Sequence, residues 1–391
     1  MMKKVGIITL YYGNDNYGGI AQAYALNEYI NRMGLDAEMI SYKRSPVQIA
    51  STKDRIKKDG FIKVLKEKIE YLPLKLYYRK SNARAQKKYG NALSSFIIAR
   101  KKAFAASREA IPHSKEVTEN TIKEIADDYD LFISGSDQIW KPGVLQPPYV
   151  LTFLNDSKKR FSYASSITMN ELPKEYGEYI RDSLNKYQWI SVREQSAKQY
   201  LETILDRNVD VVVDPTLLLS EQIWENVADE RQVSDDYMFV YLLGDNFKQR
   251  KSISKLAKKK KLKIVTLPHV EGSIRVSDIN FGDIQLYDVD LAKFLSLIKY
   301  ANYVCTDSFH AVVFSNIFET NFSVFERIVF SKKSNMNSRL DTLLQALGEE
   351  YYIGRYGEYM LKHTISFKEA KKHLLPQIEK SKRLLNNALE L

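Results

Sequence analysis

Tyr303-Val-Cys-Thr-Asp-Ser-Phe-His-Ala-Val-Val-Phe-Ser315 is two apolar runs joined by a polar turn. The first run, Tyr303 to Cys305, has the unbroken hydrophobicity of a buried parallel strand. The second, Ala311 to Phe318, is long enough to open a helix. Asp307 or Ser308 can cap that helix, because a short side-chain oxygen accepts the amide hydrogens that the first turn leaves unpaired. His310 then falls in the first turn of a helix, at the carboxyl end of a strand. Open α/β sheets bind ligands at that position, and a helix start favours an anion. A partly buried histidine that merely fills the turn is the alternative these residues leave open.

The same strand-turn-helix grammar recurs along the chain. Lys4 to Leu10 reads as a buried parallel strand, followed by the loop Gly13-Asn-Asp-Asn-Tyr-Gly-Gly19. A helix from Ile20 to Met33 ends at Gly34, and a strand from Ala37 to Tyr42 completes a βαβ unit. The glycines lack the spacing of a dinucleotide fingerprint. The loop reads as a tight turn or as a backbone cradle facing substrate, and its context between strand and helix favours the second. Further strands are expected at Tyr129 to Ser134, Arg160 to Ala164, Trp189 to Val192 and Val209 to Val213. Polar residues follow each: Gly135-Ser-Asp-Gln-Ile-Trp140, Ser165-Ser166, Arg193-Glu194 and Asp214-Pro-Thr216. A second series begins after Leu219, with strands at Met238 to Leu243, Leu262 to Leu267 and Phe322 to Phe325 around the opening motif. Repeated βα units of this kind predict doubly wound parallel sheets. The expected divisions are residues 1–219, residues 220–365, and a helix at 366–391 that packs back across both.

The length of 391 residues favours two domains. No apolar run approaches the roughly 18 residues of a membrane span. The start, Met-Met-Lys-Lys-Val-Gly-Ile-Ile, is broken by Tyr11, Tyr12 and Gly13 before a signal peptide would be complete, and reads as a first strand. The single cysteine, Cys305, forms no internal disulfide, and the five histidines show no metal-ligand spacing. A metal-free cytoplasmic protein is expected. The net charge of +11 is concentrated: residues 43–110 carry 19 Lys and Arg against 5 Asp and Glu. That segment reads as a basic, solvated helical hairpin inserted in the first domain. A surface for an anionic membrane is its alternative reading. Its aromatic residues sit at helical packing intervals rather than as a platform for bases, which argues against nucleic acid.

Laid out in order, the chain resembles the polysaccharide pyruvyl transferase family. The resemblance runs through Asn16-Tyr-Gly-Gly19, Gly135-Ser-Asp-Gln-Ile-Trp140, Ser162-Tyr-Ala-Ser165, Ser191-Val-Arg-Glu194, Asp214-Pro-Thr216, Thr306-Asp-Ser-Phe-His310 and Asn337-Ser-Arg339. Order and spacing together carry the signal, and residues 43–110 carry little of it. The resemblance implies two Rossmann-like domains facing a cleft, in the manner of glycosyltransferase B enzymes. It also implies transfer of the enolpyruvyl carbons of phosphoenolpyruvate to a sugar, as a ketal bridging two hydroxyls. Phosphoenolpyruvate is then a co-substrate, with no other cofactor. The sugar acceptor is a cell-surface glycan or its lipid-linked precursor, which suggests an enzyme held peripherally at the inner face of the plasma membrane.

Such chemistry needs a proton donor for the methylene carbon and cations for the donor's carboxylate and phosphate. A histidine suits the first role and arginines the second. His310 is the candidate acid. Arg193 matches the family's phosphoenolpyruvate-binding arginine, a surface ion pair with Glu194 being the structural alternative. Ser308 stands where many members carry an arginine that contacts the donor. Arg327 and Arg339 are the candidates to replace that cation, with pairing to Glu326 and Asp341 as structural alternatives. The candidate substrate-binding set is Asn16, Tyr17, Gly18, Gly19, Ser136, Asp137, Gln138, Trp140 and Ser165. The rival reading is a glycosyltransferase using a nucleotide sugar on the same fold.

Overall fold

The structure is a computed structural model that describes residues 2–45, 61–168, 174–270, 274–327, 338–347 and 366–390. For residues 61–71, 74, 174, 338, 339 and 341 it describes the backbone alone. Two parallel sheets organise the chain. The first contains β1 (Lys4–Ile8), β2 (Asp36–Met39), β3 (Leu131–Ser134) and β4 (Lys159–Ser162) in the order β2-β1-β3-β4. Single bridges from Phe161 to Trp189 and from Ser165 to Val192 continue it into a short parallel pair, β5 (Ser191–Val192) and β6 (Asp210–Val211). The second contains β7 (Tyr237–Tyr241), β8 (Lys263–Thr266), β9 (Ile284–Gln285), β10 (Tyr303–Thr306) and β11 (Phe322–Val324) in the order β11-β10-β7-β8-β9.

In each sheet the chain reverses its direction of winding once. The reversal lies between β1 and β3 in the first sheet and between β7 and β10 in the second. Loops leaving the two strands at such a point diverge and open a crevice. The strands read as unbroken apolar runs because both faces are covered: Val5, Ile7, Phe132, Ile133, Met238, Phe239 and Val240 are fully buried. The expected strand from Ala37 to Tyr42 is shorter than the sequence suggests. Beyond Met39 the chain leaves β1 and meets residues 113–117 through isolated bridges, Met39 to His113 and Tyr42 to Val117.

The helices begin where side-chain oxygens cap them. Asn16 accepts the amides of Gly18 and Gly19 at the start of α1 (Tyr17–Arg32). That helix packs between the sheets, and its apolar side joins one core continuous across both. Tyr17 stacks on Phe294 at 4.4 Å between centroids and donates its hydroxyl to Val289. Trp224, from the short helix Glu221–Val227, meets Tyr24 on one side and the edge of Phe314 on the other. Apolar side chains therefore join the two domains.

The basic segment departs from the expectation of a solvated hairpin. Its helices, α2 (Phe61–Tyr89) and α3 (Ala92–Glu109), dock on the second domain. Arg100 is buried and donates to the carbonyls of Leu286 and Tyr287 at 2.9 and 2.8 Å. Phe96 stacks on Tyr287 at 3.9 Å, Tyr89 donates to Ile279, and Ser81 donates to Ile274. Charge composition identified the solvated side of the hairpin and hid the side that packs. The long C-terminal helix Phe367–Glu390 likewise touches both halves: Ser381 accepts the amide of Val213, Asn386 accepts from Tyr29, and Lys371 pairs with Glu319.

Replacing Phe96 by Ala removes a half-buried ring and its stack. It is expected to destabilise the protein by about 2 kcal/mol, read as a lower midpoint in denaturant unfolding. An unchanged midpoint would mean that the hairpin contributes nothing by docking.

Candidate active site

The turn after β10 does two jobs. The Asp307 carboxylate accepts the amides of Leu243 and Gly244 at 2.7 and 2.6 Å, binding the β10 loop to the β7 loop across the reversal point. Capping therefore falls to Ser308, whose hydroxyl accepts the amide of Ala311 at the start of α9 (Phe309–Ile317). These bonds fix the first turn of α9 and aim His310 at the first domain.

His310 is 7% exposed and faces the start of α1. A methyl group on Gly18 would overlap its imidazole ring, with Nδ1 the nearest atom. Position 18 therefore requires glycine for a close approach between domains. On the other edge, His310 Nε2 lies 3.6 Å from Asp214 Oδ2. Arg193 reaches the same oxygen from the end of β5, donating Nη1 at 2.6 Å. Residues 117 positions apart in sequence, from different domains, thus meet on one carboxylate oxygen.

The other oxygen, Oδ1, accepts the amide and the hydroxyl of Thr216 at 3.1 and 2.7 Å, which orients Asp214 from its own Asp-Pro-Thr turn. Burial alone would raise the Asp214 pKa. The positive charge of His310, then that of Arg193, outweighs burial and holds the carboxyl well below its ordinary value. At 3.6 Å, Nε2 of His310 lies just beyond hydrogen-bond distance of that oxygen. Burial would also weaken the Arg193 charge, but the carboxylates of Asp214, Glu194 and Asp137 reverse that and raise its pKa.

Arg193 is not fully used by these acids. Glu194 stands 3.8 Å from Nε and Asp137 3.7 Å from Nη2, both beyond hydrogen-bond distance. Nε and Nη2 have no hydrogen-bond acceptor, and Nε2 of His310 and Oε2 of Glu194 likewise lack a partner. Nε and Nη2 together form the planar edge with which arginine grips a carboxylate or phosphate. The guanidinium also lies 5.0 Å over the ring of Phe309.

One cavity adjoins this cluster, and a second has none of the cluster's residues in its wall. The smaller, about 210 Å³, is walled by Arg193, Glu194, Asp214, Phe309 and Lys380. The larger, about 420 Å³, lies where the reversal points of both sheets meet: Asn14 to Tyr17 follow β1, and Leu242 to Asp245 follow β7. Arg327 also lines it, held by a 2.8 Å bond from Nη2 to the Asp307 carbonyl.

The candidate residues separate into three groups. His310, Arg193, Gly18 and Asp137 converge on the cluster. Asn16, Tyr17 and Arg327 line the larger cavity, Tyr17 by the edge of a ring otherwise in the core. Trp140, Ser136 and Ser165 are fully buried and line neither cavity. Trp140 donates to Tyr149, Ser165 to Ser134, and Ser136 receives the Asp137 amide at 2.6 Å. Their polar atoms are satisfied within the protein, and all three support the loop that carries Asp137. Gly19 is packed against the Leu10 carbonyl, Gln138 is half-buried, and neither lines a cavity. Ser308 is a cap. The Arg339 side chain lies outside the described residues. The residue that sequence reasoning missed is Asp214: its Asp-Pro-Thr turn was visible, but the two cations that share it come from distant segments.

The family model for polysaccharide pyruvyl transferase matches residues 16–327, from the cap of α1 to the arginine after β11. The chain belongs to the polysaccharide pyruvyl transferase family. No curated protein matches it. Among solved structures, this pyruvyl transferase family member is similar to a UDP-N-acetylglucosamine 2-epimerase from Rickettsia bellii. The TM-score is 0.54 at 10% identity, over 100% of this chain and 96% of that one. It is also similar to a UDP-GlcNAc 2-epimerase from Neisseria meningitidis, at a TM-score of 0.48 and 12% identity over 99% of each chain. At 10% identity the likeness to the Rickettsia bellii enzyme is one of fold, the two-domain glycosyltransferase B type.

Replacing Asp214 by Asn leaves the buried Arg193 guanidinium without its hydrogen-bonded counter-ion and is expected to cost about 3–5 kcal/mol at pH 7. Because the folded-state pKa is depressed, this contribution is complete above the ordinary carboxylate range and is lost as pH falls through the folded value. Wild-type stability should therefore drop steeply below about pH 4, and the variant should lack that part of the slope. Denaturant unfolding as a function of pH measures both; superimposable acid limbs would remove Asp214 from this linkage.

Proposed function

We propose that this family member transfers the enolpyruvyl group of phosphoenolpyruvate to two hydroxyls of one sugar, on a cell-surface polysaccharide or its lipid-linked precursor. The observation that supports this reading is the convergence of His310 and Arg193 on one oxygen of Asp214. An acid and an anion-gripping arginine, held side by side and away from water, are the two functions that an enol phosphate donor demands.

In this reading the donor occupies the smaller cavity, with its carboxylate or phosphate on the free Nε and Nη2 edge of Arg193. Glu194 and Asp137 draw back from that edge as the anion enters. His310 gives its proton to the methylene carbon, and C2 becomes an oxocarbenium-like centre. A sugar hydroxyl attacks C2 and its proton restores His310. Phosphate then leaves with the electron pair of the C2–O bond and takes up the proton of the second hydroxyl as the ketal closes. Asp214 keeps an anion beside His310 through both protonation states. A histidine so placed contributes typically 10²–10⁴-fold as a general acid.

Purified protein with phosphoenolpyruvate and a panel of lipid-linked acceptors is expected to release phosphate, and His310→Ala to lose at least 10²-fold of that rate with its unfolding curve intact. Equal rates would remove His310 from the chemistry. Stabilisation against heat by a nucleotide sugar, and not by phosphoenolpyruvate, would favour the glycosyltransferase reading instead.

We also propose that the helical hairpin meets an anionic membrane, bringing the enzyme to its lipid-linked acceptor. Among the described residues no helix is long and apolar enough to cross a membrane. On α2, Leu72 and Leu76 are about half exposed on one face, with Lys75, Arg79 and Lys80 exposed beside them. Apolar side chains flanked by cations suit an anionic lipid surface, each cation adding roughly 1 kcal/mol. Flotation with vesicles containing phosphatidylserine should carry the protein, and neutral vesicles should not; flotation indifferent to lipid charge would sink this part.

A further inference from the structure

The larger cavity has the volume of a site and unmet polar demand of both signs. Arg100 is 7% exposed and reaches the wall from the hairpin. Its Nε and Nη2 are occupied by neutral backbone carbonyls, and among the described residues no carboxylate forms an ion pair with it, though its charge helps to hold the Asp288 carboxyl below its ordinary value. Arg275, on the wall beyond β8, has a buried Nε with no hydrogen-bond partner. Among the described residues no carboxylate forms an ion pair with it. The wall also carries two carboxylates. Asp15 is neutralised by Arg108 at 2.9 Å. Asp245 accepts from Ser277 through Oδ1, while its Oδ2 is buried without a partner.

These demands restrict the occupant. Guanidinium groups without counter-ions favour an anion, and an unused planar edge matches phosphate geometry. A bare phosphate would meet the unpartnered oxygen of Asp245 as a like charge. A neutral sugar would give Asp245 a hydroxyl donor and leave the arginines uncompensated. A molecule that has both phosphate and hydroxyl groups satisfies both walls, and 420 Å³ exceeds what a small enol phosphate fills.

We infer that this cavity binds a phosphate-bearing sugar, with the phosphate on Arg275 and Arg100 and a hydroxyl on Asp245. The chemistry of the site stands on the cavity alone. Only the assignment of this ligand as the sugar acceptor rests on the proposed reaction.

Titration calorimetry with α-glucose 1-phosphate, glucose, inorganic phosphate and phosphoenolpyruvate tests it on the full chain. Glucose 1-phosphate should bind at least tenfold more tightly than either glucose or phosphate. Arg275→Gln should weaken glucose 1-phosphate at least tenfold and leave phosphoenolpyruvate unchanged. Asp245→Asn, an independent variant should the first not fold, should weaken glucose 1-phosphate but not phosphate. Phosphate bound as tightly as glucose 1-phosphate, or binding indifferent to both substitutions, overturns the proposal. Loss of phosphoenolpyruvate together with glucose 1-phosphate in Arg275→Gln also overturns it, since the cavity would then be the donor's. A wild-type protein that binds glucose 1-phosphate as expected and ignores phosphoenolpyruvate supports this site and removes the donor reading instead.

Discussion

One carboxylate oxygen, Oδ2 of Asp214, joins the two halves of this protein chemically. Apolar packing brings the domains together, but it specifies position only loosely. The shared oxygen specifies more, because a buried carboxylate that serves both a guanidinium and an imidazole tolerates little displacement before one of them loses its partner. Around it everything else is arranged in support. Thr216 holds the other oxygen, Gly18 is stripped of a side chain to admit the imidazole, and Ser308 caps the helix that aims it. Asp307, two residues before the helix begins, locks the neighbouring loop through two backbone amides.

Much of this was legible in the amino-acid order. Parallel strands buried on both faces announce themselves as unbroken apolar runs, and the helix start after β10 announces itself through Ser308. Since βα units place their ligand-facing loops at strand ends, His310 and Arg193 stood out as soon as the strands were drawn. What local pattern does not encode is which strand ends face one another. The partnership of Arg193 with Asp214 and His310 depends on how one doubly wound sheet docks on another. That docking is set by side chains such as Trp224 and Phe294, which look like ordinary core residues in the sequence, and by Tyr17, which looks like a ligand contact.

The errors have the same origin. Trp140 sits in a polar turn after a strand, as a ligand contact would, yet its ring is fully buried and its nitrogen bonded to Tyr149. Motif position pointed to a ligand, and the fold shows the packing role that the motif hid. The hairpin erred in the opposite direction: its surplus of lysine and arginine suggested solvent on all sides. Arg100 is one cation among many by composition, and only the fold singles it out by burying it beside a cavity.

The docked hairpin bears on how the molecule can move. Two-domain enzymes of this architecture are commonly thought of as jaws that swing about a hinge to admit and discharge their ligands. Here a pair of helices leaves the first domain and is riveted to the second by a buried guanidinium, a ring stack and several hydroxyl bonds. A wide swing would tear every rivet at once, and each severed carbonyl would have to find water. The low-energy deformations are instead those that leave the brace intact: small twists about the brace itself and rearrangement of side chains at the cavity mouths. Traffic through such a molecule is set by local gates rather than by the opening of the whole.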